Sequence, residues 1–458
     1  MKKILIISEH FAPNNSIAAV RCTKLAKYFK TNSDYHITVI SGKLHGSEIE
    51  DPILKENLKY VDNHILINDS KIVQLMLFFR QKILKTRQKT IKREQVNIKI
   101  ESAAKQRGNF LNKVLNSRIF LSMSLEFDAS YRFIKSKSYV KIAAKHMRKN
   151  PDNFDVILSS YGPVSSHLIG YEMKKRLPNA LWIADFRDPV ISFQTKKRHL
   201  NYLQKYINMI SENADIITGV SDACVQSFSE KCNDMIFIIC NGFDRDDING
   251  IDIMDNEKMI FTYAGVLYKG KRDLGIIFKA IRELICEDKI NKNNILINYA
   301  GTSSSFFLGQ CEEYNSLDIV KIFGFVSRKQ SLQLQLSSDI LLLASWNSIG
   351  ETGVVTGKFL EYLMINKPII CSITGNLSNS QLKEMIGDAN NGIVWEEANH
   401  EIDYPKMKAY ILDQYNRYIN NEPLNFNPNM EYIEQYNYKN ITQKIIDIIE
   451  KHEELHKQ

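Results

Sequence analysis

At 458 residues the chain exceeds what one hydrophobic core usually serves, roughly 250–300 residues, and suits two domains. Its 44% hydrophobic and 24% charged residues, with 20 Gly and 10 Pro, exclude wholesale disorder, collagen-like repeats and low-complexity scaffolds. The net charge of +8 is unevenly spread: residues 71–120 hold 13 Lys/Arg against Glu94 and Glu101, and the rest of the chain is net acidic.

The chain opens on a short apolar run, Ile4–Ile7, ended by Ser8, Glu9 and His10. Four residues are too few for the apolar region of a signal peptide, about 7–15 residues. Later apolar runs such as Leu75 to Phe79 fall far short of the roughly 20 residues that span a membrane. The expectation is a soluble, cytoplasmic chain. Seven cysteines, with no C-x-x-C pair among them, indicate neither a disulfide framework nor a zinc site.

Ile4–Ile7 reads as a buried strand. Ala18, Ala19, Cys22, Leu25, Ala26 and Phe29 then recur at helical spacing, and His36–Ser41 forms the next strand. Strand, helix, strand is a βαβ unit, and such units build parallel sheets covered on both faces. The rhythm resumes with strands at Asp155–Ser159, Ala180–Ala184, Asp215–Thr218 and Met235–Ile239, and helices at about 163–177 and 197–212. The polar stretch 246–258 has no apolar periodicity and reads as a linker. A second series follows: strands Met259–Tyr263, Ile295–Ala300, Ile319–Phe323, Asp339–Leu343 and one from Pro368 to Ser372, with helices at 273–287, 327–336 and 355–365.

The fold class expected is α/β, with two doubly wound Rossmann-like domains facing across a cleft. The first spans 1–245 and carries a basic helical insertion at 71–150. The second spans 259–425, and residues 426–458 form a closing helix expected to pack back on the first domain. In open α/β sheets ligands bind outside the carboxyl ends of the strands.

Two places carry chemistry. After the strand ending at Tyr263, the loop Gly265-Val266-Leu267-Tyr268-Lys269-Gly270-Lys271-Arg272 combines glycines that admit close approach with three cations ahead of a helix, a setting for a diphosphate. At the later junction, Thr356-Gly357-Lys358-Phe359-Leu360-Glu361 puts Lys358 and Glu361 on one helical face. The lysine would neutralise a leaving phosphate and the carboxylate would accept from ribose hydroxyls.

These stretches together resemble the retaining glycosyltransferases of family 4, with the GT-B fold, and in particular bacterial members that glycosylate lipid-linked precursors of surface polysaccharide such as lipopolysaccharide or capsule. The likeness continues through Phe11-Ala12-Pro13 with Arg21, the loop from Ser159 to His167, Asp185-Phe186-Arg187-Asp188-Pro189, and Asn241-Gly242-Phe243-Asp244. The resemblance implies a donor site at Gly265, Lys269, Lys271, Gly357 and Glu361. It implies catalytic roles for Lys358, Arg272 and His167, and an acceptor side at His10, Arg21, Asp185, Arg187 and Asp188. The chain departs from the family where Gly353 stands in place of the first of two acidic residues, with Glu351 two positions early. It departs again where Val266 replaces a common basic residue, and where Ser16-Ile17-Ala18-Ala19 replaces a Gly-Gly.

The resemblance also implies that basic side chains and helix termini, rather than a metal or other cofactor, hold the nucleotide-sugar. In the Asp-x-x-Asp at 185–188, Arg187 is expected to pair with the flanking carboxylates. Ile72, Met76, Phe79 and Ile83 form one helical stripe among Arg80, Lys82, Lys85, Arg87, Lys89, Lys92 and Arg93. A basic amphipathic helix of this kind fits an anionic membrane surface, and nothing in the segment matches a nucleic-acid module. The expected partners are therefore a nucleotide-sugar, a lipid-linked acceptor and the inner face of the cytoplasmic membrane. A nucleotide-sugar 2-epimerase and a non-catalytic, nucleotide-sugar-binding paralogue are the rival readings.

Overall fold

A computed structural model describes residues 1–43, 50–80, 118–149, 152–191, 195, 197–228, 232–268, 271–351 and 355–455. The chain divides into two compact units, Met1–Ile239 with His452–Gln458, and Cys240–Lys451. The division falls ahead of the expected linker. Residues 246–258 belong to the second unit, where Asp247, nearly buried, accepts from Arg328 Nη2 at 2.7 Å and Arg245 Nε donates to Glu434 at 2.7 Å. Charges that read as linker composition are ties to that unit.

The first unit is built on a parallel sheet of seven strands. They are β1 (Lys3–Ile7), β2 (His36–Gly42), β3 (Asn63–Ile67), β4 (Val156–Ser160), β5 (Leu181–Phe186), β6 (Ile216–Gly219) and β7 (Ile236–Ile238), in the order β3-β2-β1-β4-β5-β6-β7. Ile4 to Ile7 pair with β2 on one side and β4 on the other, and all four are at most 1% exposed. That double burial is why the strand is a continuous apolar run rather than an alternating one. β3, at the sheet edge, is only partly buried, and its weak pattern hid it from the sequence reading.

The helices that cover this sheet include Ile17–Ser33, Ser165–Arg176, Lys197–Asn213 and the 32-residue Arg118–Lys149. The last lays Tyr131, Tyr139, Ala143 and Met147 against the unit at intervals of four and eight, the spacing of one helical face. Residues 71–80 are helical, with Val73 fully buried and Ile72, Leu75, Phe78 and Phe79 about half exposed. The rest of the expected basic helix, 81–117, lies outside the described residues.

The second unit holds a parallel sheet of six strands: β8 (Met259–Ala264), β9 (Ile295–Ala300), β10 (Val320–Gly324), β11 (Ile340–Trp346), β12 (Ile369–Thr374) and β13 (Gly392–Glu396), in the order β10-β9-β8-β11-β12-β13. Ile277, Phe278, Ile281, Ile297, Phe307 and Leu342 are among the fully buried residues of its core. Residues 400–419, 381–389 and 304–313 are helices that the sequence reading left unassigned. In the closing helix Tyr438–Leu455, residues Ile441, Ile445, Ile446 and Ile449 are buried. This helix belongs to the second unit through Lys451, and from His452 to the first, where Glu453 pairs with Lys2 at 2.8 Å.

Both sheets are Rossmann-like. The strand order reverses between β1 and β4 in one and between β8 and β11 in the other, which fixes where each crevice at the carboxyl edge lies.

Candidate donor site at the carboxyl edge of the second sheet

β8 and β11 are neighbours at the switch point, pairing Phe261 with Ile340 and Thr262 with Leu341. Beyond β8 the chain turns through Gly265, whose N–H donates to Ala300 O at 2.8 Å. The turn is tight against the loop after β9: a Cβ on Gly301 would lie 2.0 Å from Gly265 O. Gly265 itself has ordinary room around it, so the glycine that the close approach demands is Gly301, which sequence reasoning passed over.

Lys271 and Arg272 follow in the same loop. Thr374 Oγ1, at the end of β12, donates to Lys271 O at 2.8 Å, and Ser372 Oγ bonds Asp273 O, so the cation-bearing backbone is tied to the sheet. Asp273 Oδ1 accepts from Gly275 N at 2.7 Å, and burial raises its carboxyl above the ordinary value. The Arg272 guanidinium lies 4.8 Å from the Tyr268 ring and 5.6 Å from that of Trp346, and Lys271 Nζ lies 4.9 Å from Trp346. Two aromatic faces thus orient two cations. Lys271 is paired with Glu351, which also accepts from Trp346 Nε1 at 2.9 Å. The Lys271 hydrogen bond holds the Glu351 carboxyl below its ordinary value.

The helix Gly357–Ile365 starts on this same carboxyl edge, after the loop that leaves β11. Thr356 caps it, accepting from Phe359 N. Among the described residues, nothing lies within 4 Å of where a Cβ on Gly357 would stand. Lys358 Nζ donates to Glu361 Oε1 at 2.6 Å, and Gln335 Nε2 donates to the same oxygen at 2.7 Å. Burial alone would raise the Glu361 pKa. The charges of Lys358 and Arg328, with the bonds from Lys358 and Gln335, hold it below the ordinary value. Lys269 and Gly353 lie outside the described residues.

The structure therefore brings Gly265, Lys271 and Arg272 together with Trp346 and Glu351, and sets Lys358 and Glu361 at the next helix of the same edge. Trp346, Arg328 and Gln335 were missed from sequence. Trp346 left a trace, a tryptophan closing a strand that is aliphatic but for Ser345. Arg328 and Gln335 left none, because they reach Glu361 from a helix 26 or more positions earlier.

Several expected residues of the first unit play other parts. His167 is fully buried, with Nδ1 2.6 Å from Ser159 Oγ. Trp182 Nε1 donates to that hydroxyl at 2.8 Å, which ties the imidazole to the strand β5. Phe186 lies 4.6 Å from the imidazole, centroid to centroid, and burial pushes the imidazole down to about 3. The side chain has no exposed surface, which differs from the substrate-facing place expected of it and fits a core role.

Arg21 and Asp185 are likewise buried, and bonded to each other. Arg21 Nη2 donates to Asp185 Oδ1 at 2.8 Å and to Ile239 O at 2.9 Å; Ser160 and Thr218 hydroxyls complete the carboxylate at 2.8 Å each. Burial would raise Asp185, but Arg21 and these donors hold it below its ordinary value. Both side chains are enclosed rather than exposed on an acceptor side. The expected pairing of Arg187 with its neighbouring carboxylates is also replaced: its guanidinium donates to the carbonyls of Tyr161, Gly162 and Ala18, fixing the loop after β4. Asp188 is exposed and His10 partly so.

No family model and no curated protein matches this chain. Solved structures do. HepE of Anabaena, in complex with UDP and glucose, is 11% identical over 98% of this chain and 100% of its own, with a TM-score of 0.52. Sucrose-phosphate synthase from Thermosynechococcus elongatus is 12% identical over 98% and 99%, TM-score 0.54. A putative UDP-N-acetylglucosamine 2-epimerase from Listeria monocytogenes is 10% identical over 99% and 97%, TM-score 0.52. The likeness is one of fold. The chain has the GT-B type of architecture, two Rossmann-like domains in sequence.

Proposed function

We propose that the protein is a glycosyltransferase that moves a hexosyl or N-acetylhexosaminyl group from a nucleotide-sugar to a lipid-linked glycan acceptor with retention of configuration, in polysaccharide or glycoconjugate synthesis. The observation that supports this reading is the carboxyl edge between β8 and β11, which carries the cations Lys271 and Arg272 and, at the next helix, Gly357 and Lys358, the kinds of donor a diphosphate needs. HepE, with the same fold, is described in complex with UDP and glucose. The family 4 resemblance supplies the surface-polysaccharide setting.

In this reading the diphosphate accepts from backbone N–H groups at the helix start, where the helix dipole favours an anion. Lys358 meets the charge that grows as the sugar departs, and Glu361 accepts from ribose hydroxyls. Glu351 holds Lys271 until the diphosphate competes for it. The leaving phosphate takes the acceptor's proton on the face it vacates. These groups stabilise charge by fixed position, which is where most of such a rate enhancement arises. No metal or other cofactor is required. The enzyme would work in the cytoplasm at the inner membrane face. The half-exposed Ile72, Leu75, Phe78 and Phe79 and the surplus of +11 over 71–120 favour anionic lipid, each Lys/Arg adding about 1 kcal/mol before screening.

The fold shared with the Listeria epimerase favours a second reading, epimerisation of the donor. Incubating the protein with UDP-sugars, with and without bacterial lipid extract, separates them. Sugar appearing in the lipid phase only with donor supports transfer. Epimerised or hydrolysed donor without lipid identifies the alternative, and nucleotide-sugar binding with neither product identifies a non-catalytic paralogue. Liposome sedimentation, with Arg80, Lys82, Lys85, Arg87 and Lys89 neutralised together, tests the membrane part: pelleting indifferent to those charges overturns it.

A further inference from the structure

In the first unit, a surface groove of about 530 Å³ runs between the helices Arg118–Lys149, Ser165–Arg176 and Lys197–Asn213. Its floor is apolar, formed by Val140, Ala144, Leu168, Tyr171 and Met209. Lys137 and Lys141 stand on its rim, both exposed.

The charge on this rim is one-sided. Among the described residues neither lysine has an ion-pair partner: Lys137 rests on the Phe133 ring at 4.4 Å, and no salt bridge involves Lys141. The acid at the groove, Glu172, is neutralised on its own helix by Lys175 at 2.6 Å. Arg176 Nη1, donating to Ala144 O at 3.1 Å, adds a further cation. Beyond Lys137, Phe133 and Tyr202 meet edge to face at 6.2 Å while remaining 44% and 41% exposed. Aromatic rings left exposed beside lysines are what a boundary between water and hydrocarbon favours.

We propose that this groove holds the hydrocarbon chain of a lipid phosphate, with Lys137 and Lys141 on the phosphate. The proposal deepens the lipid-linked acceptor reading and rests on it. Size favours a chain: one turn of a peptide helix, about 10 Å across and 5.4 Å long, would fill most of the volume, whereas an extended alkyl chain lies within it. Two exposed lysines over an apolar floor select an amphiphile with an anionic head.

Isothermal titration of the full chain with dodecyl phosphate, below its micelle concentration, tests this against dodecyl maltoside and inorganic phosphate. Dodecyl phosphate should bind at least tenfold tighter than the neutral detergent, and inorganic phosphate should give no measurable heat. Lys137→Gln with Lys141→Gln should weaken binding by roughly fivefold per lysine, through exposed side chains whose loss leaves the fold intact. Ala144→Trp should abolish binding by filling the floor. Equal affinity for the neutral detergent, or binding unchanged in both variants, overturns the proposal. Titrating UDP into the same preparations reads the second unit separately. UDP binding without lipid binding fails the groove alone; lipid binding without any nucleotide-sugar response fails the proposed function alone.

Discussion

Lys358 and Glu361 are held together one helical turn apart, Nζ to Oε1 at 2.6 Å, at side-chain exposures of 30% and 17%. Glu361 is also fixed from a second helix by Gln335. The carboxylate is thus anchored from two helices, and the more exposed lysine is the member that can turn toward a ligand at the helix start.

That asymmetry predicts different failures. Lys358→Ala removes a charge that matters most as the diphosphate departs, so turnover should fall by roughly 10²–10³-fold, as for loss of one oxyanion donor. Glu361→Ala should chiefly raise the donor KM, because the ribose does not change during the reaction. Steady-state kinetics at saturating acceptor, with circular dichroism as a check on folding, distinguishes them. Near-parent kcat and KM in both would remove this helix from the donor site.

Two glycines should separate packing from binding. Gly301→Ala drives a Cβ into Gly265 O, and because both atoms belong to backbone the loops must shift, costing about 1–3 kcal/mol. Gly357→Ala meets open space and should leave the free protein as stable or up to about 1 kcal/mol more so, from helix propensity. The same methyl group would stand in a diphosphate's path and raise the donor Kd, by about tenfold for each 1.4 kcal/mol lost. Thermal unfolding with and without UDP-sugar measures both effects.

His167 should behave as an acid-sensitive core residue. Its folded pKa is pushed down to about 3 against about 6.5 unfolded. Between those values the unfolded chain binds a proton that the folded chain refuses. The stability is thus complete above pH ~6.5 and is lost as pH falls, by about 1.4 kcal/mol per unit. His167→Phe should flatten urea-midpoint curves between pH 6.5 and 4 while leaving turnover at pH 7.5 close to the parent's. A large loss of turnover with unchanged stability would restore a catalytic role.

The Arg21–Asp185 pair should matter to stability. Asp185→Ala leaves the Arg21 charge buried without its carboxylate, a change that costs about 3–5 kcal/mol. Because the folded carboxyl is held below its ordinary value, its contribution is present above the unfolded pKa of about 3.9. It is lost only as pH falls through the lower folded value. The variant's deficit should be constant from pH 5 to 8 and shrink in stronger acid. Denaturation curves across that range check it.

The strand series was largely legible in the sequence. Ile4–Ile7, Ile295–Ala300 and the strands around 340 and 369 are buried on both faces, and double burial writes an unbroken apolar run that needs no partner to be seen. The edge strand β3 escaped notice because a half-covered strand carries a diluted pattern. The helix at 400–419 was hidden by Pro405, which sits near its start, where a missing N–H costs little.

By itself, then, the sequence determined two series of parallel strands and the polar residues at their carboxyl ends, since these follow from local periodicity. Only the tertiary structure decided what those polar residues do. His167, Arg21 and Asp185 read as exposed chemistry, and packing made them core. Lys271, Trp346 and Glu351 are up to 80 positions apart, and Gln335 is 26 from Glu361, yet they meet. The physical reason is that exposure and pairing are set by which strands lie adjacent. Adjacency between β8 and β11 is a property of the folded sheet that no local stretch of sequence contains.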